Sequence, residues 1–304
     1  MAGDNAQPSP PHPTPNEVPA YRALYKRQPR LLYHYTTATG LRGIFDSKTI
    51  WATHARFLND RSELTHARER ISYFLESKQR DGDEESQVIS TTMLESLKSF
   101  LSREVFPAPY IASFSSQGDL LSQWERYSEH FGYSIGFRRD ALQDIAIPLP
   151  VGNLFKVVYD EKVQSKILSQ FFDLIKRALR KHSERKSPPE ETNALMLSSQ
   201  IHLEILATMF KHSAYKEERE WRFVKFHNDH GDDANLHFRN GQFGLVPYLE
   251  IPLTVAGDFR PSRIIVGPTH YKDEALKAVE LLASSHGVKL KRDQYQSSLI
   301  PKRT

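Results

Sequence analysis

The chain has 304 residues, 39% of them hydrophobic and 26% charged, so it can bury a real core and makes one large domain or two small ones. A formal charge of +4 and a pI near 9.0 permit a polyanionic partner without demanding one. The lack of cysteine excludes disulfides, thiolate nucleophiles and thiolate-ligated zinc or iron–sulfur sites.

Residues 1–20 carry six prolines and few large apolar side chains, which predicts an extended, disordered tail. No basic and apolar leader pattern opens the chain, and no apolar run approaches the roughly 20 residues of a membrane helix. A cytoplasmic protein without membrane contact is expected.

From Leu31 the pattern becomes periodic. "LLYHYT" predicts a strand, "TATGLRGIFDSK" a helix with Leu41, Ile44 and Phe45 on one face, and "IWAT" a second strand. In "FLNDRSELTHARERISYFLES", Asp60 and Glu63 resemble a capping box, and Leu64, Ala67 and Ile71 continue at helical spacing. "KQRDGDEESQ" reads as a polar linker, with a helix following from Thr91 to Glu104. "YIASFSS" is a strand, "GDLLSQWERYSEHF" a helix, and "GYSIGF" and "NLFKVVYD" are further strands. Residues 161–212 read as mostly helical, broken at "SPPEE". "EREWRFVKF", "VPYLEI" and "RIIVG" return to strand, and "KDEALKAVELLASS" closes as a helix. Without regular βαβ alternation or repeats, the expectation is an α+β fold: a mixed β-sheet core with flanking helices, a single domain over 21–304 and a helical insertion at about 161–212.

Chemistry concentrates in a few places. If "YKEEREWRFV" is a strand, Glu218, Glu220 and Arg222 share one face and Arg219, Trp221 and Phe223 the other. Neighbouring carboxylates repel and one pKa rises unless a cation compensates, a role Arg222 can fill. The plainer alternative is an exposed Glu–Arg ladder. His34 and Thr36 share a face at a strand–helix junction, where free backbone N–H groups suit a hydroxylated or phosphorylated ligand; a core histidine bonded to a backbone carbonyl is the plainer alternative. "SFSS" puts Ser113 and Ser115 on one strand face, either as ligand contacts or simply as the start of a turn. Glu63 and His66 make half of a two-metal motif with no second half, so no metal is expected. GxSxG, GxGxxG and P-loop patterns are absent. The basic run "KRALRKHSERK" reads as a solvated helix end or, alternatively, a polyanion patch.

In order, "LYHYT", "FLND", "YIASFSS", "LLSQWERY…GYSIGF", "YKEEREWRFV" and "IIVG", spread over about residues 31–268, resemble a bacterial domain-of-unknown-function family related to the ADP-ribosyltransferase superfamily. The resemblance implies an ADP-ribosyltransferase-like sheet and NAD as co-substrate. It also implies that His34 and Thr36 contact the adenosine or diphosphate part and that Ser113 and Ser115 brace the nicotinamide ribose. Glu218 and Glu220 correspond to a Glu-x-Glu motif with Glu220 catalytic. Asn59 of "FLND" joins the binding set, and Tyr35, Trp124 and Tyr127 are candidates for the nicotinamide stack. Phe114 departs from the family's central threonine, and Arg61 from a frequent proline.

Such a site cleaves the nicotinamide–ribose bond through an oxocarbenium-like state, so fixed negative charge near the sugar and a second carboxylate on the acceptor both have work to do. The leading reading is an NAD-dependent mono-ADP-ribosyltransferase, a toxin or phage-defence effector acting on protein or nucleic acid, with an antitoxin or inhibitor protein as a further partner. The alternatives are a degenerate nucleotide- or partner-binding member of the same fold, and a Mg²⁺-dependent nuclease using Asp60, Glu63 and Glu218.

Overall fold

The computed structural model describes residues 18–26, 28–58, 61–100, 108–127, 132–146, 152–228, 235–241, 244–255 and 258–301. It is an α+β structure with a mixed, mostly antiparallel sheet. Residues 1–17, most of the proline-rich stretch, lie outside the described residues, while Val18 is fully buried and Pro19 opens a short helix, α1 (Pro19–Ala23).

The chain divides into two compact units. One comprises Met1–Lys26, Arg68–Ser102 and Glu161–Ala207. Its described part is helical: α1, most of α3 (Arg61–Asp81), α4 (Glu84–Phe100), the helix Glu161–Glu184 and most of the helix Pro189–Met209. Ile71, Leu75, Met93, Ile167, Phe171 and Ile175 make its core at helical spacing. Buried Glu204 accepts from Arg68 at 2.8 Å; burial raises its pKa and the guanidinium opposes the shift. The predicted linker at residues 78–87 is instead nearly all helix. Gly82 donates to the Lys78 carbonyl at 3.1 Å, and Asp83 accepts from the Ser86 amide at 3.0 Å, so one helix ends and a capped one begins within two residues.

The other unit comprises Arg27–Ala67, Arg103–Asp160 and Thr208–Thr304. Its first strand, β1 (Leu31–Thr37), leads into α2 (Ala38–Ser47), where the Thr37 hydroxyl caps the Gly40 amide at 3.2 Å and Leu41, Ile44 and Phe45 are buried. The remaining strands are β2 (Thr49–His54), β3 (Ala108–Ser115), β4 (Gly132–Arg138), β5 (Gly152–Lys156), β6 (Glu220–His227), β7 (Leu236–Gly241), β8 (Gly244–Pro252), β11 (Arg263–Val266) and β12 (Tyr295–Ser297), with β9 (Thr254–Val255) and β10 (Asp258–Phe259) as a separate pair. Only β11 and β12 run parallel among the described ladders. The β7–β8 hairpin includes a strand that the sequence reading passed over, because "LHFRNG" is polar and partly exposed.

One feature of this sheet positions the site. Along one edge of β3, β6 pairs continuously from Ala108↔His227 to Ser115↔Glu220. The other edge is shared. Strand β2 pairs at Thr53↔Ile111 and His54↔Tyr110, and β1 pairs at Tyr33↔Ser115. Between these contacts the two strands part, β1 leading to β4 and β11 and β2 leading to β8 and β7. The sheet therefore forks beside Ala112–Phe114, and strand edges inside a fork need other partners.

Candidate functional site

The fork opens into a cavity of about 690 Å³, within the range of small-molecule sites. Its walls include His34, Tyr35 and Thr36 of β1, Thr53 of β2, Ser113 and Ser115 of β3, Tyr127 of α5 (Leu121–Tyr127), and Glu218 and Glu220.

Glu218 is not on the strand. It ends a 3₁₀ turn, Ser213–Glu218, and Arg219 follows in a left-handed conformation with φ 49° before β6 begins at Glu220. A non-glycine residue there costs roughly 1–2 kcal/mol. Both carboxylates nevertheless converge on one cation: Lys211 Nζ lies 2.5 Å from Glu218 Oε2 and 3.0 Å from Glu220 Oε2. Lys211 is placed by its own backbone, since Val158 and Phe210 form a parallel bridge and the Lys211 amide donates to the Val158 carbonyl.

The exposed Glu–Arg ladder is overturned. Glu220 and Arg222 are 6% and 2% exposed because both faces of β6 are covered, and Glu218 in the preceding turn is 7% exposed. Arg222 grips Glu220 in a fork, Nε on Oε1 at 2.8 Å and Nη2 on Oε2 at 3.0 Å, as compensation of the acid pair requires. Ser113 Oγ donates to Oε1 at 2.8 Å. Burial pushes the Glu220 carboxyl up, but Arg222, then Lys211, and the Ser113 hydroxyl overcome it and hold the pKa at about 2. Arg126 contacts Glu218 Oε1 at 2.9 Å, so three cations surround two carboxylates. The phenols of Tyr127 and Tyr159 titrate high, first from burial and next from the Glu220 charge.

His34 takes the plainer of its sequence readings, a histidine bonded to a backbone carbonyl, and also borders the cavity. Its Nδ1 lies 2.9 Å from the Ser113 carbonyl, filling a backbone position inside the fork, while the ring lines the cavity. Burial lowers its pKa and the carbonyl only partly offsets this, so the ring is neutral at pH 7. With Nδ1–H donating, Nε2 carries the acceptor lone pair. Thr36 stands beside it, and an added Cβ at Gly40 would come within 2.0 Å of the Thr36 hydroxyl and force it to turn.

Other predicted site residues take different places. Ser115 Oγ donates to the Glu218 carbonyl at 2.8 Å and so fixes the turn. Tyr35 and Trp124 pack edge-on at 4.7 Å, in a cluster with Tyr33 and Ile265. The Tyr35 hydroxyl joins Gln117 and Leu120, and the Trp124 indole donates to Asp119, so both brace the preceding loop. Asn59 and Asp60 lie outside the described residues, as does the Glu63 side chain. In the other unit, part of the basic run is paired: Lys176 with Asp83 at 2.6 Å and Arg180 with Glu85 at 2.7 Å.

Lys211 and Arg126 were missed. A lysine directly after the buried run Ile205–Phe210 was the available signal for the first, since a cation ending an apolar segment needs an anion. Arg126 carries no comparable mark.

Residues 123–223 match a family described as Protein of unknown function (DUF2971). That span holds the whole ion cluster, whereas His34, Thr36, Ser113 and Ser115 precede it. No curated protein and no solved structure matches the chain. Among the described residues, no helix is long and apolar enough to cross a membrane.

Proposed function

We propose that the fork cavity binds NAD and that the chain is a mono-ADP-ribosyltransferase with the sheet architecture of that superfamily, modifying a protein or nucleic-acid acceptor. The observation that carries the reading is Glu220: a buried carboxylate, kept ionised, braced by Ser113 and exposed to a nucleotide-sized cavity that also holds His34 and Thr36. In this reading the bond from nicotinamide nitrogen to the ribose carbon breaks, and nicotinamide leaves neutral. The acceptor nucleophile bonds to the same carbon and gives up its proton to the Glu218 carboxylate. Glu220 supplies fixed negative charge beside the developing cation, Ser113 fixes its orientation, and Glu218 is the acceptor-side carboxylate. Neutral His34 accepts from a hydroxyl through Nε2.

A second reading, nucleotide binding without turnover, draws on a specific feature. Each oxygen of Glu220 already accepts two hydrogen bonds, and three cations outnumber the two carboxylates. A net positive cluster favours an anionic ligand over a cationic transition state.

Labelled NAD separates the two. The transferase releases nicotinamide and labels an acceptor, and Glu220→Gln lowers release by at least about 100-fold with NAD binding and circular dichroism retained. Undiminished release in Glu220→Gln sinks the catalytic role. Binding without release by the natural chain leaves the binder. If Glu220→Gln does not fold, Ser113→Ala supplies the same comparison.

A further inference from the structure

We propose that Trp51 is a stacking wall for a nucleobase inside the fork cavity, with Arg239 beside it for the attached phosphate. This rests on the nucleotide-binding half of the reading above and not on turnover.

The argument begins with cross-strand register. His237 pairs directly with Tyr248, Tyr248 with Thr53, and Trp51 with Glu250, so His237, Tyr248 and Trp51 share one sheet face. Their rings form a ladder. His237 and Tyr248 lie 5.5 Å apart at 29°, and Tyr248 and Trp51 lie 4.4 Å apart at 31°. The ladder crosses β7, β8 and β2 in order, and the next strand position beyond β2 is the mouth of the fork. Tyr248 is 8% exposed, but Trp51, the terminal ring, is 45% exposed and lines the cavity. Trp124 and Trp221, the other tryptophans, are 3% and 2% exposed.

A large ring left open where a stack ends at a cavity is the arrangement that planar heteroaromatic groups occupy, and every base has a π-face to lay on it. Two further wall residues favour a nucleotide over a plain aromatic ligand. Arg239 reaches to 3.4 Å from the Thr53 hydroxyl, and both side chains border the cavity on the same face as Trp51. A guanidinium and a hydroxyl beside a stacking ring match the phosphate and sugar of a nucleotide. The Ser113–Glu220 pair shares this sheet face through Thr53↔Ile111 and Ser115↔Glu220. The base therefore comes from the adenylate half of the dinucleotide or from a single-stranded nucleic-acid acceptor.

Fluorescence of the full chain tests this, because Trp51 is the exposed tryptophan. Titrations use AMP, NAD and a single-stranded oligodeoxythymidine, with adenosine for comparison. AMP and NAD are expected to quench saturably. Trp51→Phe removes most of the signal but keeps AMP affinity, measured by equilibrium dialysis, within about threefold; Trp51→Ala weakens it by about tenfold or more. Arg239→Gln weakens AMP and leaves adenosine unchanged. Quenching by the oligonucleotide but not by AMP assigns the base to the acceptor. Absence of quenching by all three ligands, or unchanged AMP affinity in folded Trp51→Ala, overturns the proposal. Quenching without nicotinamide release leaves the stack standing and removes the transferase; release without quenching does the reverse.

Discussion

Lys211 and Glu220 are held 3.0 Å apart in the interior, and the same ammonium reaches Glu218 at 2.5 Å. That lysine is the cation the two carboxylates share, beside Arg222 on Glu220 and Arg126 on Glu218. A buried charge stripped of its partner is far more costly than one never placed there. Lys211→Met should destabilise the fold by about 3–5 kcal/mol, measured by urea unfolding. Adding Glu218→Gln should return a good part of that loss. If the double variant is no more stable than Lys211→Met, Lys211 is not compensating the acid pair.

Ser113→Ala removes one donor from Glu220 and leaves Arg222 and Lys211 in place. The expected cost is about 1–3 kcal/mol, below that of Lys211→Met, because the carboxylate keeps its charged partners. A cost equal to that of Lys211→Met would mean that the serine hydroxyl, and not the cations, secures the anion.

Glu220 also sets an acid limit. Its folded pKa is about 2 against an ordinary 4.5, depressed because Arg222 and Lys211 outweigh its burial. The unfolded chain thus binds the proton more readily, and the stabilisation present above pH 4.5 is lost as pH falls toward 2. Stability measured across this window should fall steeply in the natural chain and less steeply in Glu220→Gln. Equal slopes would show that the carboxylate gains nothing on folding.

His34 acts in a higher window. Burial depresses its pKa below 6.5, so the folded state resists protonation more than the unfolded state does. Stability should rise with pH through the window below 6.5 and level off above it; His34→Gln should flatten that slope. An imidazole signal that titrates at or above 6.5 by NMR would contradict the neutral ring on which the Nε2 acceptor depends.

Much of the local structure could be read from the chain. The alternation in Leu31–Thr37, the apolar face of Leu41, Ile44 and Phe45, and the Lys272–Ser285 helix are short-range patterns, and they appear where periodicity puts them. The pairing of Arg222 with Glu220 also needed only two positions on one strand. Turns were harder. Gly82 and Asp83 replace a ten-residue polar linker, because a capped helix start looks as polar as a loop. Arg219 adopts a left-handed conformation that composition does not announce.

Residue types and their spacing determined which side chains could serve a site: two glutamates, a strand histidine and a pair of serines. Tertiary structure alone decided that β1 and β2 share one edge of β3 and part there, and that Lys211 comes between Glu218 and Glu220. It alone decided that Trp51 ends an aromatic ladder at the opening. The physical reason is range. Periodicity reports which face of one element is apolar, whereas a fork, a buried ion cluster and a stack across three strands depend on partners far apart in the chain, chosen by pairing and desolvation that no local window contains.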